Sequence, residues 1–233
     1  MRNNIIMKPM KFISEIQEIK QLTSDAKLFK FAIPEGFSFE PGQYVSMILD
    51  KDGERIRRPY SIASVPNKDY FELCIKIMSE SISSKVVDSL KVGDKVNFIG
   101  PLGSFKVNSG SKDIVFVSIG IGITPFRSMI KDLLDKGFER KIVLITGYKF
   151  EEDVLFEEEF KDLEEKYDNF EYYNILSREG DEKGYVQELV EENIDKLKSS
   201  DFYLCGLKEM VNSMKELLLE KGILKEDIYF EDY

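Results

Sequence analysis

The sequence contains no histidine. That absence removes imidazole metal ligands, Ser-His-Asp and Cys-His nucleophile pairs, and the commonest general base. Cysteine is scarce as well, with Cys74 and Cys205 far apart and in no paired motif. Two thiols fall short of the ligand set of an iron–sulfur cluster or a four-cysteine zinc site. No apolar run approaches the roughly 18 residues that span a bilayer. The N-terminus offers only Ile5-Ile6-Met7 between polar residues, too short for a signal-peptide core. These absences predict no metal site, no membrane span and a cytoplasmic chain. Its chemistry must rest on carboxylates or on a bound cofactor.

What is present describes a folded protein. At 233 residues, 42% hydrophobic and 33% charged, the chain suits one large or two modest domains. The net charge of −10 is unevenly placed. Residues 1–107 hold 16 Lys and Arg against 13 Asp and Glu, and residues 108–233 hold 17 against 30. The acidic half argues against nucleic acid as a partner, because a phosphate backbone needs a basic face.

Residues 11–107 read as short strands punctuated by turns: Phe12–Ile19, Lys27–Ile33, Tyr44–Leu49, Pro59–Ala63, Tyr70–Ile77, Lys95–Ile99 and Phe105–Val107. One helical stretch, Ser83–Leu90, interrupts them. This spacing predicts an antiparallel β-barrel over residues 1–107. Asn108-Ser109-Gly110-Ser111-Lys112 is a polar linker, after which apolar runs alternate with helical stretches. The runs are Ile114–Val117, Lys141–Thr146, Phe170–Leu176, Asp201–Leu204 and Ile228–Phe230. The helices are Pro125–Lys136, Val154–Lys166, Tyr185–Leu197 and Lys208–Lys221. Residues 113–233 are therefore expected to form an α/β domain with a parallel sheet. Ligands of such sheets bind outside the carboxyl ends of the strands.

Three stretches bear on function. Val117 to Ser128 is ordered as strand, glycine turn and helix, which aims backbone N–H groups at a phosphate. Gly120 and Gly122 permit the turn, Thr124 suits an N-cap and Pro125 the first helical position. Without a third glycine, a packing turn with no ligand stays an alternative. In Arg57-Arg58-Pro59-Tyr60-Ser61, a guanidinium can grip a phosphate, an aromatic face can pack on a ring, and a hydroxyl can hydrogen-bond. An exposed arginine pair beside a half-buried tyrosine is the alternative. Ser177 and Arg178, followed by Lys183 and Tyr185, suit a terminal phosphate such as the 2′-phosphate of NADP, or are an ordinary charged loop.

Taken together and in order, these motifs resemble the ferredoxin–NADP⁺ reductase superfamily, particularly its plant-type members, from about residue 11 to 233. Arg58-Pro59-Tyr60-Ser61 is similar to the family's flavin signature. Leu73-Cys74-Ile75-Lys76, Leu90-Lys91-Val92-Gly93-Asp94 and Gly100-Pro101-Leu102-Gly103 follow it. Gly120 to Ser128 is similar to the pyridine-nucleotide turn, Tyr203-Leu204-Cys205-Gly206 to the family's C-G segment, and Glu231-Asp232-Tyr233 to the plant-type ending.

The resemblance implies a flavin-binding barrel, an NAD(P)-binding domain, hydride transfer between nicotinamide and flavin, and single-electron transfer to ferredoxin, flavodoxin or another small redox carrier. It implies that Arg58 binds the flavin phosphate, Pro59 and Tyr60 line the isoalloxazine, and Ser61 hydrogen-bonds near N5. Lys76 belongs to the same flavin-binding set, and Ser83 with Ser84 meets a phosphate at a helix N-terminus. It implies that Gly120, Gly122, Thr124, Pro125 and Gly206 hold the nucleotide, and that Ser177, Arg178, Lys183, Tyr185 and Gln187 favour NADP(H) over NAD(H). Cys205 is placed against the nicotinamide, Glu231 links the site to solvent, and Tyr233 stacks on the flavin. Met78–Ser84 is short for the loop bearing an adenine-stacking tyrosine, so FAD is favoured with FMN still open. A reductase of free flavin and a flavoprotein subunit of a multicomponent oxidoreductase are the alternative functions.

Overall fold

The computed structural model describes residues 8–233 apart from positions 52, 68, 79, 80, 109, 181 and 182. The chain divides into two compact units. One ends at Val107 and includes Thr124–Asp132; the other comprises Asn108–Ile123 and Leu133–Tyr233.

Within the first unit the strands are β1 (Met10–Thr23), β2 (Ala26–Ala32), β3 (Tyr44–Lys51), β4 (Glu54–Ser61) and β5 (Tyr70–Lys76). Helix α1 (Ile82–Ser89) precedes β6 (Lys95–Leu102). They form an antiparallel sheet in the order β4-β3-β6-β1-β2-β5. A bridge between Ile62 and Leu73 joins its two edges, so the sheet closes on itself as a barrel. Alternation along β1 buries Phe12, Ser14 and Ile16 while Ile13 faces out. The interior is built on phenylalanine: the Phe31 ring stacks on Phe71 at 5.2 Å and meets Phe98 edge-on at 5.0 Å. Each buried ring contributes about 1.5–3 kcal/mol of apolar burial.

Phe105–Val107, expected as a strand, is irregular. Gly103, at φ +93°, turns the chain off the sheet after β6. Phe105 then packs against Phe126, and its carbonyl lies where a side chain on Gly42 would stand.

The second unit alternates β7 (Ile114–Ile119), α2 (Ile123–Asp135), β8 (Ile142–Tyr148), α3 (Glu157–Lys166), β9 (Phe170–Leu176), α4 (Val186–Leu197), β10 (Asp201–Gly206), α5 (Lys208–Glu220) and β11 (Ile228–Asp232), with the middle of α2 grouped with the barrel. All its strand pairs are parallel, in the order β11-β10-β7-β8-β9. The central strands are apolar throughout because helices cover both faces of such a sheet. Val115, Val117, Val143, Ile145 and Leu204 pack under Val190 of α4 and Val211 and Met214 of α5. On α3, Phe160 meets Phe170 and Tyr172 of β9.

Helix α3 starts three residues later than the sequence pattern suggests. Glu151–Asp153 form a 3₁₀ turn, Val154 is extended, and Phe156 sits at φ +61°, which breaks the helical run before Glu157. The three glutamates Glu157–Glu159 then open the helix, where negative charge complements its dipole. The linker is tied down: the Asn108 N–H donates to the Tyr203 hydroxyl at 2.9 Å, and Lys112 pairs with Asp227 and Asp201. No helix among the described residues is long and apolar enough to cross a membrane.

Candidate functional site

In the barrel unit, β4 and the start of α1 bring Arg58, Ser83 and Ser84 together. Arg58 Nε donates to Ser83 Oγ at 3.1 Å, and one terminal nitrogen donates to the Arg57 carbonyl at 3.0 Å. Ser81 caps α1, its hydroxyl accepting from the Ser84 N–H at 3.4 Å and lying 2.8 Å from the Ser83 hydroxyl. Ser83 and Ser84 are buried. A guanidinium, two hydroxyls and a positive helix end form a donor set that fits the phosphate of a flavin dinucleotide.

Tyr60, two residues along β4 from Arg58, is half-buried against the barrel core. Burial raises its phenol, with the Arg58 charge opposing. Ser61 ends the strand opposite Tyr44, and Pro59 is exposed opposite Ser46. Lys76, at the end of β5, is in an ion pair with Asp25 at 2.8 Å. Ser79 and Glu80, within the short Met78–Ser84 loop, lie outside the described residues.

In the second unit, the ends of β7, β10 and β11 meet. Gly120–Gly122 form a 3₁₀ turn that runs directly into α2 at Ile123. A side chain on Gly122 would come within 2.3 Å of the Cys205 carbonyl, so only glycine lets the two strand ends approach. Gly120 differs: at φ +52°, its missing side chain would face open space, where a ligand can reach the backbone. The expected N-cap is corrected here. The 3₁₀ turn supplies the lead-in, Thr124 lies buried in the first turn, and Pro125 is the third helical residue.

Cys205 is buried beside Ser118 on one side and Glu231 on the other. Burial, then the Glu231 and Asp232 charges, push its thiol far above the usual range. Cys205 is thus a neutral, small apolar wall rather than a nucleophile. Burial and Asp232 raise Glu231. Tyr233 folds back across this turn: its N–H donates to the Gly206 carbonyl at 3.3 Å and its hydroxyl to the Ile119 carbonyl at 3.3 Å. The residue as a whole is 55% exposed.

The remaining candidates gather two strands away, about 10 Å at ordinary strand spacing. The Ser177 and Arg178 N–H groups donate to the Tyr148 and Lys149 carbonyls at 2.9 and 3.1 Å, extending the β8–β9 pairing beyond the sheet. Arg178 is exposed, and Lys183 is bridged to Leu176. Tyr185 caps α4 through its backbone N–H, which donates to Glu188 at 3.1 Å, and the residue is 64% exposed. Gln187 reaches the other way and donates to Ser213 of α5 at 2.7 Å.

One buried contact had no sequence signal. Arg127, only 7% exposed, donates to Glu72 at 2.7 Å and to the Ala63 carbonyl at 3.0 Å. The neighbouring Ser128 hydroxyl donates to the Ser64 carbonyl at 2.6 Å. Fifty-five residues separate the charged partners, and no periodicity relates them. Close by, burial pushes the Cys74 thiol up to about 12, opposed by Arg127 and the Thr124 hydroxyl.

Two families match this chain. Residues 14–107 match the family described as an oxidoreductase FAD-binding domain, and residues 116–216 match an oxidoreductase NAD-binding domain. The chain is 32% identical over 218 residues to ferredoxin–NADP reductase B of Sorangium cellulosum, covering 88% of this chain and 89% of that protein. It is 28% identical over 229 residues to the reductase component of a Pseudomonas phenol 2-monooxygenase, covering 94% of this chain and 64% of that component. In fold it is similar to a ferredoxin–NADP⁺ reductase from Neisseria gonorrhoeae solved with bound FAD and NADP. The TM-score is 0.85 at 23% identity, covering 95% of this chain and 98% of that one.

Proposed function

The chain belongs to the ferredoxin–NADP⁺ reductase superfamily, and from that premise we propose that it takes electrons from NADPH and passes them singly to a ferredoxin or flavodoxin. It is an NAD(P)H-dependent flavoprotein oxidoreductase that binds FAD and NAD(P). The nicotinamide supplies a hydride, and the flavin, when bound, divides that electron pair for a one-electron acceptor.

The side chains then have binding and positioning tasks. Arg58, Ser83 and Ser84 hold the dinucleotide phosphate, Tyr60 packs on the flavin ring, and Ser61 hydrogen-bonds its edge. Backbone N–H groups from Gly120 to Thr124, at the head of α2, receive the nucleotide phosphate. The neutral Cys205 thiol offers the nicotinamide a close apolar wall, and Glu231 exchanges protons with solvent. The observation that carries the reading is Tyr233, held at both its N–H and its hydroxyl across the Ile119–Gly122 turn. It occupies the nicotinamide position and yields it during turnover.

The experiment is anaerobic reduction of the FAD-loaded protein by NADPH, followed by addition of ferredoxin, flavodoxin or a non-specific dye. Reduction of a carrier protein well above the dye rate supports the proposal; a rate no faster than the dye overturns it. A second reading follows from the 28% identity to a monooxygenase reductase component across 94% of this chain. In that reading the acceptor is a specific oxygenase partner, and tight co-purification with such a partner distinguishes it. Turnover only with added free flavin would instead identify a flavin reductase.

A further inference from the structure

The three residues that follow Ser61 are held more closely than a strand exit requires. Along β5, Phe71, Leu73 and Ile75 face the barrel core, which turns Glu72 and Cys74 to the outer face. The first turns of α2, which group with the barrel, lie on that face. The Thr124 hydroxyl hydrogen-bonds the Cys74 thiol, and Arg127 pairs with Glu72 at 2.7 Å. The same Arg127 nitrogen, Nη1, donates to the Ala63 carbonyl at 3.0 Å, and Ser128 Oγ donates to the Ser64 carbonyl at 2.6 Å. Glu72 grips the segment from its own strand. Its carbonyl accepts the Ala63 N–H at 2.8 Å, and its N–H donates to Ser64 Oγ at 3.1 Å. The Ile62 N–H donates to the Gln43 carbonyl at 3.0 Å.

A buried ion pair is a weak source of stability, because desolvation of both charges offsets most of their attraction. The Arg127 and Glu72 side chains, 9% and 14% exposed, bear that cost. What the pair supplies is position. A terminal guanidinium nitrogen carries two N–H bonds. Nη1 directs them at a carboxylate of β5 and at a carbonyl of the segment leaving β4. One atom therefore sets the spacing between the two. Ser61 precedes Ala63 by two residues, about 7 Å of extended chain, so a shift of Ala63 is carried to Ser61.

We propose that Arg127 is a positioning residue of the flavin site: by clamping Ala63 against Glu72, it sets where Ser61 presents its hydroxyl. The inference rests on the reading of Ser61 as a hydrogen-bonding partner of the flavin edge. It assigns Arg127 no contact with flavin or coenzyme. Its effect on flavin reduction runs through Ser61.

The test is a double-mutant cycle between Arg127→Lys and Ser61→Ala. Lysine keeps the charge, but its ammonium ends one bond short of Nη1 and cannot take that atom's place between Glu72 and Ala63. Two readouts are taken on FAD-loaded protein. One is the rate of flavin reduction by saturating NADPH; the other is the visible circular dichroism of the bound oxidised flavin, which reports the ring's surroundings without turnover. Each single variant is expected to slow reduction about tenfold, within the range that misplacing a reacting group produces. Both should alter the dichroism in the same sense. The combined variant should be no slower than Ser61→Ala alone, whereas a purely structural role for Arg127 would multiply the two losses. If Arg127→Lys fails to load FAD, Arg127→Met together with Glu72→Met replaces it in the cycle, since exchanging a whole buried pair for apolar side chains removes both desolvation costs. Failure of that variant as well makes the pair a structural element and overturns the inference. Losses that multiply, or an Arg127→Lys protein with wild-type rate and dichroism, overturn it and leave the Ser61 reading standing. A Ser61→Ala protein with wild-type rate and dichroism overturns both.

Discussion

Arg178 and Tyr233 act at the two ends of the proposed nucleotide path, and single substitutions separate their roles. Arg178 is exposed, with its backbone fixed by the Lys149 carbonyl, so truncating the side chain leaves the loop pairing in place. Arg178→Ala is expected to raise KM for NADPH about ten- to hundredfold, from the loss of one charge-assisted hydrogen bond worth about 1.5–3 kcal/mol. KM for NADH should change far less; equal losses with both coenzymes would show that Arg178 does not meet a 2′-phosphate. In the proposed reading Tyr233 leaves its place when the nicotinamide enters, and an aromatic stack contributes about 0.5–1.5 kcal/mol. Tyr233→Ser is expected to raise kcat with NADH relative to NADPH by about two- to tenfold. An unchanged ratio in steady-state assays would remove the stacking role. Both residues were legible as motif members, because each occupies a position where the chain's order alone is distinctive. The environments of Cys205 and Glu231 were not legible, since burial and the Asp232 charge appear only when β10 and β11 lie side by side.

At the scale of elements, the turn between β7 and α2 shows how two glycines in one motif answer to different constraints. Gly122 meets the Cys205 backbone, while Gly120 meets nothing and is distinguished by its positive φ. Gly122→Ala is expected to destabilise the protein by about 1–3 kcal/mol through overpacking against a backbone that cannot yield. Gly120→Ala should cost less stability, roughly 1 kcal/mol of backbone strain, yet raise KM for either coenzyme because its methyl enters the open space before the turn. Urea denaturation and steady-state kinetics on the pair check the separation; equal stability losses would contradict it. The strands and helices themselves were readable from hydrophobic period. Their ends were not: Gly103 and Phe156, both at positive φ, turn the backbone where apolar pattern continues. The Arg127–Glu72 pair likewise needs the folded chain, because it joins residues that no local rule connects.

For the whole molecule, the cofactor should be a large part of its stability. A ligand bound only by the folded state stabilises by about 2.7 kcal/mol at 100 times its Kd. For a chain of this size that corresponds to a rise in Tm of about 5–10 °C. Added FAD is expected to give such a shift in thermal melting of flavin-depleted protein, and FMN a smaller one, since FMN keeps the flavin phosphate proposed to meet Arg58 and α1 but lacks the second phosphate and the adenosine. Equal shifts with both would show that the adenosine half adds nothing to binding.

The amino-acid order alone determined the barrel, the parallel sheet, the flavin and nucleotide motifs and the absence of histidine chemistry. These depend on local period, turn residues and residue type, which a linear chain displays. Only the tertiary structure decided which donors converge, because convergence depends on strand order and loop pairing. It placed Ser81 as the α1 cap, turned Gln187 toward Ser213, paired Lys76 with Asp25, and tied Glu179 to the Glu151 N–H. Those contacts join residues through space, and their energies depend on burial and distance that no spacing along the chain encodes.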